Sequence, residues 1–428
     1  MEKFEVIIVG GGLSGLGAAW TLAKSGVEVV LLERGDYPGA KNVTGGRLYT
    51  RPILEYFPGL LEKAPLERPI VREGATLMAG ERHITFHYGD LEYSRDPRPS
   101  FSILRSRFDR WFAEEAENAG AMILPKTRVD DVIRQGGRIA GVVAGGDPLH
   151  ADVVVACDGV LSLLSEKAGL RGPGGSRDHA VGIKEVISLP PEKIEDRFNL
   201  EKGAGAAHLF VGEATRGKFG GGFLYTNRES LSLGVVVGIG DLVEKEPALA
   251  APDFLDDFKK RPEIAPLVRD GETVEYSAHV IPEGGHGGIG PLCGDGILVA
   301  GDAAGFALNL GLTVRGMEYA MASGVFAAKT ILDARAAGSY SRERLSRYET
   351  LLKGSFVLQD FESFREAPRI LENPRFFRHY PEWLGAMFHD LYDVPAGPKK
   401  RLFPTLRKHL SFPELLALLG DLKKARKL

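Results

Sequence analysis

Three glycines mark where this chain can do chemistry. Gly10, Gly12 and Gly15 stand in G-x-G-x-x-G spacing directly behind Phe4-Glu5-Val6-Ile7-Ile8-Val9, an apolar run suited to a buried strand. In such an arrangement the first glycine makes a tight turn and the second lets a pyrophosphate approach the backbone. The third lets helix and strand pack closely. A helix predicted from Leu13 to Ser25 would aim free N–H groups and its positive dipole end at that pyrophosphate. A second strand, Val27 to Leu32, runs into Glu33, 18 residues past Gly15. A carboxylate there accepts hydrogen bonds from an adenosine ribose and disfavours a 2′-phosphate. The triplet alone is a weak signal, but strand, helix, second strand and terminal acid together specify an FAD or NAD site.

Two more strand-plus-turn motifs carry polar groups toward the same kind of ligand. Cys157-Asp158-Gly159-Val160-Leu161-Ser162 follows the apolar run Val153 to Ala156, where a turn and helix start would pass close to a cofactor. Gly301-Asp302-Ala303-Ala304-Gly305 follows another buried run, Gly296 to Ala300. Its aspartate can hold a ribityl or ribose hydroxyl by charge-assisted hydrogen bonds, and the alanines let a flat ring approach the backbone. A second formal G-x-G-x-x-G, at Gly285, Gly287 and Gly290, reads as a decoy: Pro282 separates it from any strand, and Pro291-Leu292-Cys293-Gly294 opens no helix. A second βαβ unit for a pyridine nucleotide is therefore not expected.

These motifs need a frame, and the 428 residues suffice for two or three domains with large cores. The expected class is α/β, an FAD-binding Rossmann-like domain of glutathione-reductase type with an inserted β-rich domain and a helical C-terminal region. The nucleotide domain takes residues 1–75, 99–180 and 281–337; the β-rich domain takes 76–98 and 181–280; the helical region is 338–428. Within the first, a short helical stretch is expected near Leu54 to Leu61 and an amphipathic helix from Ser106 to Gly120. A hairpin turning at Gln135-Gly136-Gly137 and a helix from Gly316 to Ala337 complete it. Composition is that of an ordinary soluble protein, 44% hydrophobic and 26% charged with net charge −3, and points to no nucleic acid. No run approaches the ~18 apolar residues of a membrane span. The apolar stretch Val6 to Trp20 is better explained by the glycine motif than by a signal peptide, because Glu2 and Glu5 replace a basic n-region. The expected location is cytoplasmic. With only two cysteines, Cys157 and Cys293, the chain cannot build a four-cysteine iron–sulfur cluster or zinc site by itself. Cys157 reads as a small buried residue; Cys293 is expected in a Gly-rich loop, where a redox role is the alternative.

The order of the three motifs resembles FAD-dependent oxidoreductases of the p-hydroxybenzoate-hydroxylase and geranylgeranyl-reductase-like group, which implies non-covalent FAD rather than NAD. Three further segments resemble more narrowly the Fix-type flavoproteins (FixC/EtfC), relatives of electron-transfer-flavoprotein:quinone oxidoreductase. They are Lys41 to Tyr49, Ile103-Leu104-Arg105 with Phe108-Asp109-Arg110-Trp111, and Ile281 to Gly285 through Gly294-Asp295-Gly296. The likeness runs from residue 1 to about 335. It implies electrons accepted from the alpha and beta subunits of an electron transfer flavoprotein and delivered to quinone. Mitochondrial relatives carry a [4Fe–4S] cluster in a C-terminal ferredoxin-like domain; here a separate small ferredoxin-like subunit would supply it, and the complex would be able to serve as the quinone side of electron bifurcation. An FAD-dependent reductase of polyprenyl double bonds, with a tunnel lined by Gly217 to Phe223, is the rival. An FAD-bearing assembly subunit without turnover is a third reading.

The resemblance assigns the ADP half to Gly10, Gly12, Gly15 and Glu33, and the pyrophosphate or ribityl region to Arg105, unless that arginine is simply paired on a surface helix. Gly45 and Gly46 would pass the isoalloxazine or else make a plain turn. Asp302 would bind the ribityl chain or a phosphate. The loop Gly311 to Gly316 would lead into a helix whose N-terminus faces the flavin N1–C2=O edge. Leu13, Ser14, Arg34, Lys41, Val129, Asp158, Gly159, Gly301, Thr313 and Val314 complete the expected cofactor contacts, and His279 and His286 read as structural. No catalytic acid–base set and no metal site are expected. The tail, with Lys399, Lys400, Arg401, Arg407, Lys408, Lys423, Lys424, Arg426 and Lys427 around Leu402-Phe403, Leu410, Phe412 and Leu415 to Leu419, suits an interfacial helix on the inner face of the cell membrane. A helix docked on a partner or on the protein's own core is the alternative.

Overall fold

Val6 to Val9 carry no polar side chain, so as a strand they belong between two others. The computed structural model, which describes residues 3–41, 46–172, 174–244 and 250–428, puts Lys3–Val9 at the centre of a parallel sheet. It pairs with Asp147–Ala156 on one side and Val29–Leu32 on the other. Met122–Leu124 extends the sheet beyond the latter and Ile297–Val299 beyond the former. The hairpin Val129–Gln135/Arg138–Ala144 joins the start of Asp147–Ala156 and turns at Gly136 and Gly137, both at positive φ. The strand ends at Val9, Leu32, Ala156 and Val299 thus lie along one edge, the edge at which open α/β sheets bind ligands.

Two helices cover this sheet and touch through glycine. A Cβ on Gly324, in the helix Met317–Ala336, would lie 2.1 Å from the carbonyl oxygen of Ser14 in the helix Leu13–Lys24. A Cβ on Gly17 would come 3.0 Å from the Met321 carbonyl. The amphipathic helix is Arg105–Asn118, with Phe108, Phe112 and Ala116 buried as its periodicity requires.

A second, seven-stranded sheet runs in the order Glu272–Pro282, His179–Ser188, Ser230–Gly238, Gly220–Thr226, Gly205–Gly212, Ile70–Ala79, Arg82–Gly89. Its strands alternate between two environments. Ile183, Phe210, Leu224, Val235 and Val237 form a core with Ile194, Phe254 and Phe258 from the helices Pro191–Phe198 and Ala251–Lys260. The residues between them, including Gly182, Lys184, Leu209, Val211, Phe223 and Val236, face a large cavity. The sheet takes in residues 70–75, ahead of the boundary drawn at 76.

Beyond Ala336 the chain is helical. His379–Tyr392 lies on Ile70–Ala79 and the edge strand Arg82–Gly89. Trp383 donates to the His409 carbonyl (2.5 Å), and Tyr380 donates to Asp421 (2.6 Å), which with Glu414 also receives Arg375. These bonds seat the last helices, Leu402–His409 and Phe412–Ala425, and leave Phe412, Leu416, Leu419 and Leu422 as one exposed stripe at helical spacing. Among the described residues no helix is long and apolar enough to cross a membrane.

Three local expectations change. The stretch near Leu54 to Leu61 consists of two 3₁₀ turns, Arg51–Tyr56 and Leu61–Lys63, because Pro52, Pro58 and Gly59 deny it continuous helical hydrogen bonding. A strand does precede Gly285: Pro282 is the last residue of Glu272–Pro282, an edge strand where its missing N–H costs nothing, and the glycines that follow make a 3₁₀ turn over Gly285–Gly288. Cys293 sits not in an open loop but in the short strand Cys293–Gly294, buried, its thiol toward Glu349 and pushed up to about 11 by burial. It is therefore a neutral thiol, poorly suited to redox exchange.

Because Gly324 has backbone rather than side chain against it, Gly324→Ala should lower the unfolding free energy by about 1–3 kcal/mol and loosen any ligand held by the first helix. Urea unfolding and FAD content measured together check this.

Candidate active site

The cavity has a volume of about 1080 Å³ and runs from the glycine turn to the seven-stranded sheet. Its first end is built by close backbone approach. Gly10 has φ of +107°, and a Cβ there would sit 2.1 Å from the Cys157 carbonyl; a Cβ on Gly15 would sit 2.1 Å from the Gly10 carbonyl. Gly12, by contrast, opens onto empty space. It caps the helix Leu13–Lys24, whose first turn has no side-chain cap and no acid, so its N–H groups remain available to an anion. The Glu33 carboxylate spans the turn, accepting from Gly11 N–H (2.7 Å) and Gly35 N–H (2.6 Å). That fixes it beside the glycines with lone pairs left for ligand hydroxyls.

The second and third motifs are joined. Ser162, a non-glycine residue at φ of +48°, donates its hydroxyl to the Ala303 carbonyl (2.9 Å). Asp158 accepts from the Leu164 N–H through Oδ2 (2.8 Å), while Oδ1 is buried with no protein partner. Burial pushes this carboxyl upward in pKa, so a donor on a ligand would stabilise its ionised form. Asp302 is likewise raised by burial, opposed by the Arg105 guanidinium. Arg105 is no surface arginine: it lies buried against Asp109 in a bidentate pair (2.7 Å for both bonds) and lines the cavity. The loop from Leu308 to Arg315 is a two-stranded ribbon ending at Gly316, which caps Met317–Ala336 without a side-chain bond. Glu318 in that helix's first turn is buried and held by Arg315 (2.6 Å).

Nearly all the residues singled out from the sequence converge here. Gly10, Gly12, Leu13, Ser14, Glu33, Arg34 and Lys41 line the cavity, as do Gly46, Arg105, Val129, Asp158 and Gly159. Asp302, Gly311, Thr313 and Val314 line its other end. Gly15 and Gly301 stand behind the wall, Gly301 because Ser14 Oγ fills the space where its Cβ would be, at 2.4 Å. Gly45 lies outside the described residues. Gly46 is glycine for a nearby reason: a Cβ would strike the Tyr225 ring at 2.2 Å.

Of the far wall, sequence reading singled out Gly217 to Phe223, as the tunnel of the rival reading, but gave Lys184 and Glu283 no site role. Gly220, Gly221 and Gly222 offer bare backbone flanked by Phe219 and Phe223, while Lys184, His279 and Glu283 bring ionisable groups. Burial lowers Lys184, against the pull of Glu275 (3.7 Å), and lowers His279, helped by the charges of Arg105 and Arg34. Glu283 is pushed up to about 7 by burial, its amide partner Asn309 opposing weakly. The alternation in Val181 to Val186 is the one signal that would have set Lys184 on the cavity face. His286 faces away, paired with Glu362 at the surface (3.0 Å). Among the described residues no cluster is arranged to hold a metal ion.

An orphaned carboxylate oxygen, a helix terminus kept free of acids and a side-chain-free approach at Gly12 fit a dinucleotide with a flat ring system. The chain matches the family model of the FAD binding domain over residues 3–199 and that of the ETF-QO ubiquinone-binding region over 179–281. With its α/β fold and FAD-binding domain it is an FAD-dependent oxidoreductase. It is 41% identical over 420 residues to a probable electron transfer flavoprotein-quinone oxidoreductase, YdiS, of Escherichia coli, covering 98% of this chain and 97% of that protein. Protein FixC of the same organism is 43% identical over 408 residues, with 95% of each covered. The chain belongs to this FixC family of flavoproteins. A geranylgeranyl bacteriochlorophyll reductase-like protein from Thermoplasma acidophilum has the same fold, with a TM-score of 0.73 at 19% identity over 99% of this chain and 100% of that one. FAD, when bound, supplies the electron chemistry, and the protein's part is placement and environment.

Asp302→Ala should weaken FAD retention roughly 10–100-fold, the worth of one hydrogen bond to a charged group, with the fold intact. Equilibrium dialysis together with far-UV dichroism checks it; full retention at an unchanged flavin potential removes Asp302 from the site.

Proposed function

We propose that this protein takes electrons from a two-subunit electron transfer flavoprotein and passes them through its FAD to quinone. A separate ferredoxin-like subunit would carry the [4Fe–4S] cluster that two cysteines cannot hold, and the assembly would be able to form the quinone-side arm of a bifurcating complex. One observation carries the reading: a single cavity joins the dinucleotide end to a wall of bare backbone at Gly220 to Gly222, inside the segment that matches the ubiquinone-binding family model. A flat headgroup laid there would stand in the same enclosed space as the flavin ring.

In this reading residues 1–75, 99–180 and 281–337 form the nucleotide unit, 76–98 and 181–280 the inserted quinone unit, and 338–428 a docking region. Gly10, Gly12, Gly15 and Glu33 hold the ADP half, Arg105, Asp158 and Asp302 the middle, and the start of Met317–Ala336 the ring edge that gains negative charge. Arg105 and Lys41 offset the phosphates. The stripe Phe412, Leu416, Leu419 and Leu422, beside Lys423 and Lys424, would rest on the inner face of the cell membrane. Leu312, exposed, and Leu428 lie at the mouth of the cavity, so a quinone tail would leave toward that face. Reduction of polyprenyl double bonds has the shared fold in its favour but not the family match over 179–281.

The deciding experiment uses the complex from its native host, reduced anaerobically with NADH, with flavin and iron–sulfur signals followed before and after a menaquinone analogue. Reduction that depends on a co-purified electron transfer flavoprotein, then reoxidation by quinone, supports the relay. A lone FAD protein that ignores quinone and saturates an isoprenoid overturns it. For the membrane face, Leu416→Asp with Leu419→Asp should cut co-flotation with anionic vesicles more than tenfold, since each leucine buried in lipid contributes about 2 kcal/mol; unchanged flotation would assign the stripe to a protein partner instead.

A further inference from the structure

Quinone reduction consumes two protons as well as two electrons, so a proton donor within the cavity is required. Glu283 lies just past the end of Glu272–Pro282, on the ring side of the cavity beside the loop that leads to Met317. Its backbone N–H is tied to the Asp178 carbonyl (2.8 Å), which fixes where its side chain starts. Its side chain, mostly but not fully buried, lines the cavity. Asn309 Nδ2 reaches Oε2 at 3.4 Å, a long bond that orients the carboxyl and leaves Oε1 free to act.

The charges around it do not hold it ionised. His279, on the same strand, is kept neutral by burial. Arg171 spends its guanidinium on the Ala303 and Gly288 carbonyls (both 3.3 Å). Asp178 accepts from the Gly175 N–H (3.0 Å), and His286 is paired with Glu362. Lys184 faces Glu275. Buried without a cation against it, the Glu283 carboxyl keeps its proton up to about pH 7. A neutral acid poised near working pH is what proton transfer needs.

We propose, resting on the quinone reading above, that Glu283 is the acid that protonates the quinone in this cavity. Two electrons enter the quinone by way of the FAD site. The Glu283 O–H bond breaks as its proton moves to one carbonyl oxygen, leaving a carboxylate and a singly protonated quinol anion. The anion takes its second proton from water on leaving. Glu283 regains its own from water that enters the cavity once the product has left.

The test compares wild type, Glu283→Gln and Glu283→Asp, each reduced anaerobically and mixed with a short-chain quinone across roughly pH 5.5 to 9. Ionisation removes the donor as pH rises, so the wild-type reoxidation rate should fall through pH 7, approaching tenfold per unit above it. Glu283→Gln should be about 100-fold slower at low pH, the usual worth of a positioned acid, and flat with pH; Glu283→Asp should recover part of the rate and the slope. Infrared titration of the oxidised wild type should show a carboxylic-acid carbonyl band lost near pH 7 and missing from Glu283→Gln. An unchanged rate and slope in Glu283→Gln, or no such band, overturns the role of Glu283. A wild type that quinone never reoxidises overturns the quinone reading and this inference with it.

Discussion

Backbone pressed directly against backbone is the constraint on which the structure depends. At Gly10 against Cys157, Gly15 against Gly10 and Gly324 against Ser14, a single methyl group would stand about 2 Å from a carbonyl carbon or oxygen. These contacts lock three parts of the chain, far apart in sequence, into one rigid corner: the glycine turn, the strand end at Ala156 and the long helix from Met317. A helix terminus attracts an anion only over the reach of its first turn, so this corner decides where an anion can sit. Ser162, holding its own strained backbone in order to reach Ala303, extends the same corner to the third motif. The strain is tolerated because the hydroxyl it delivers would otherwise leave a buried carbonyl without that partner.

The division between legible and illegible features follows the range of the forces involved. The dinucleotide end was readable because its requirements are local: a strand, a turn that only glycine can make and a helix start all fall within thirty residues. Arg105 was placed by resemblance, yet the sequence did not show its partner Asp109 one turn along as the reason it can be buried. The far wall was only partly legible, for the opposite reason. Lys184 and Gly220 to Gly222 come from two strands and Glu283 from the turn after a third, and only sheet register brings them together. Pro282 misled for a related reason: whether a proline ends a strand depends on whether a neighbour needs its N–H, and edge position is not written locally. Cys293 looked open because glycines surround it; in the fold it joins the core through strand pairing, with its thiol toward Glu349, far along the chain.

The two halves of the cavity use polarity differently. At the dinucleotide end, acids stand where a sugar can satisfy them, Glu33 already oriented by two backbone donors and Asp158 with one oxygen in reserve. On the sheet side, burial disfavours the charged forms of Lys184, His279 and Glu283. A low-dielectric wall beside an ordered polar one suits a site where charge arrives at one end and must be discharged at the other.

Over much of the seven-stranded sheet, neighbouring residues of one strand take different duties. Ile183 packs under helices while Gly182 and Lys184 face the cavity; Leu224 packs while Phe223 and Tyr225 face it. In evolutionary terms, cavity-facing positions that carry side chains, such as Lys184 and Leu209, can vary with the ligand while their neighbours keep the fold. The cavity-facing glycines Gly220 and Gly222 cannot, because a Cβ there would strike the Val236 carbonyl or the Phe258 ring. A shift of one residue in register would exchange the two sets at once and forfeit both. A lineage on this scaffold can therefore diverge in substrate by point mutation but not by insertion within these strands.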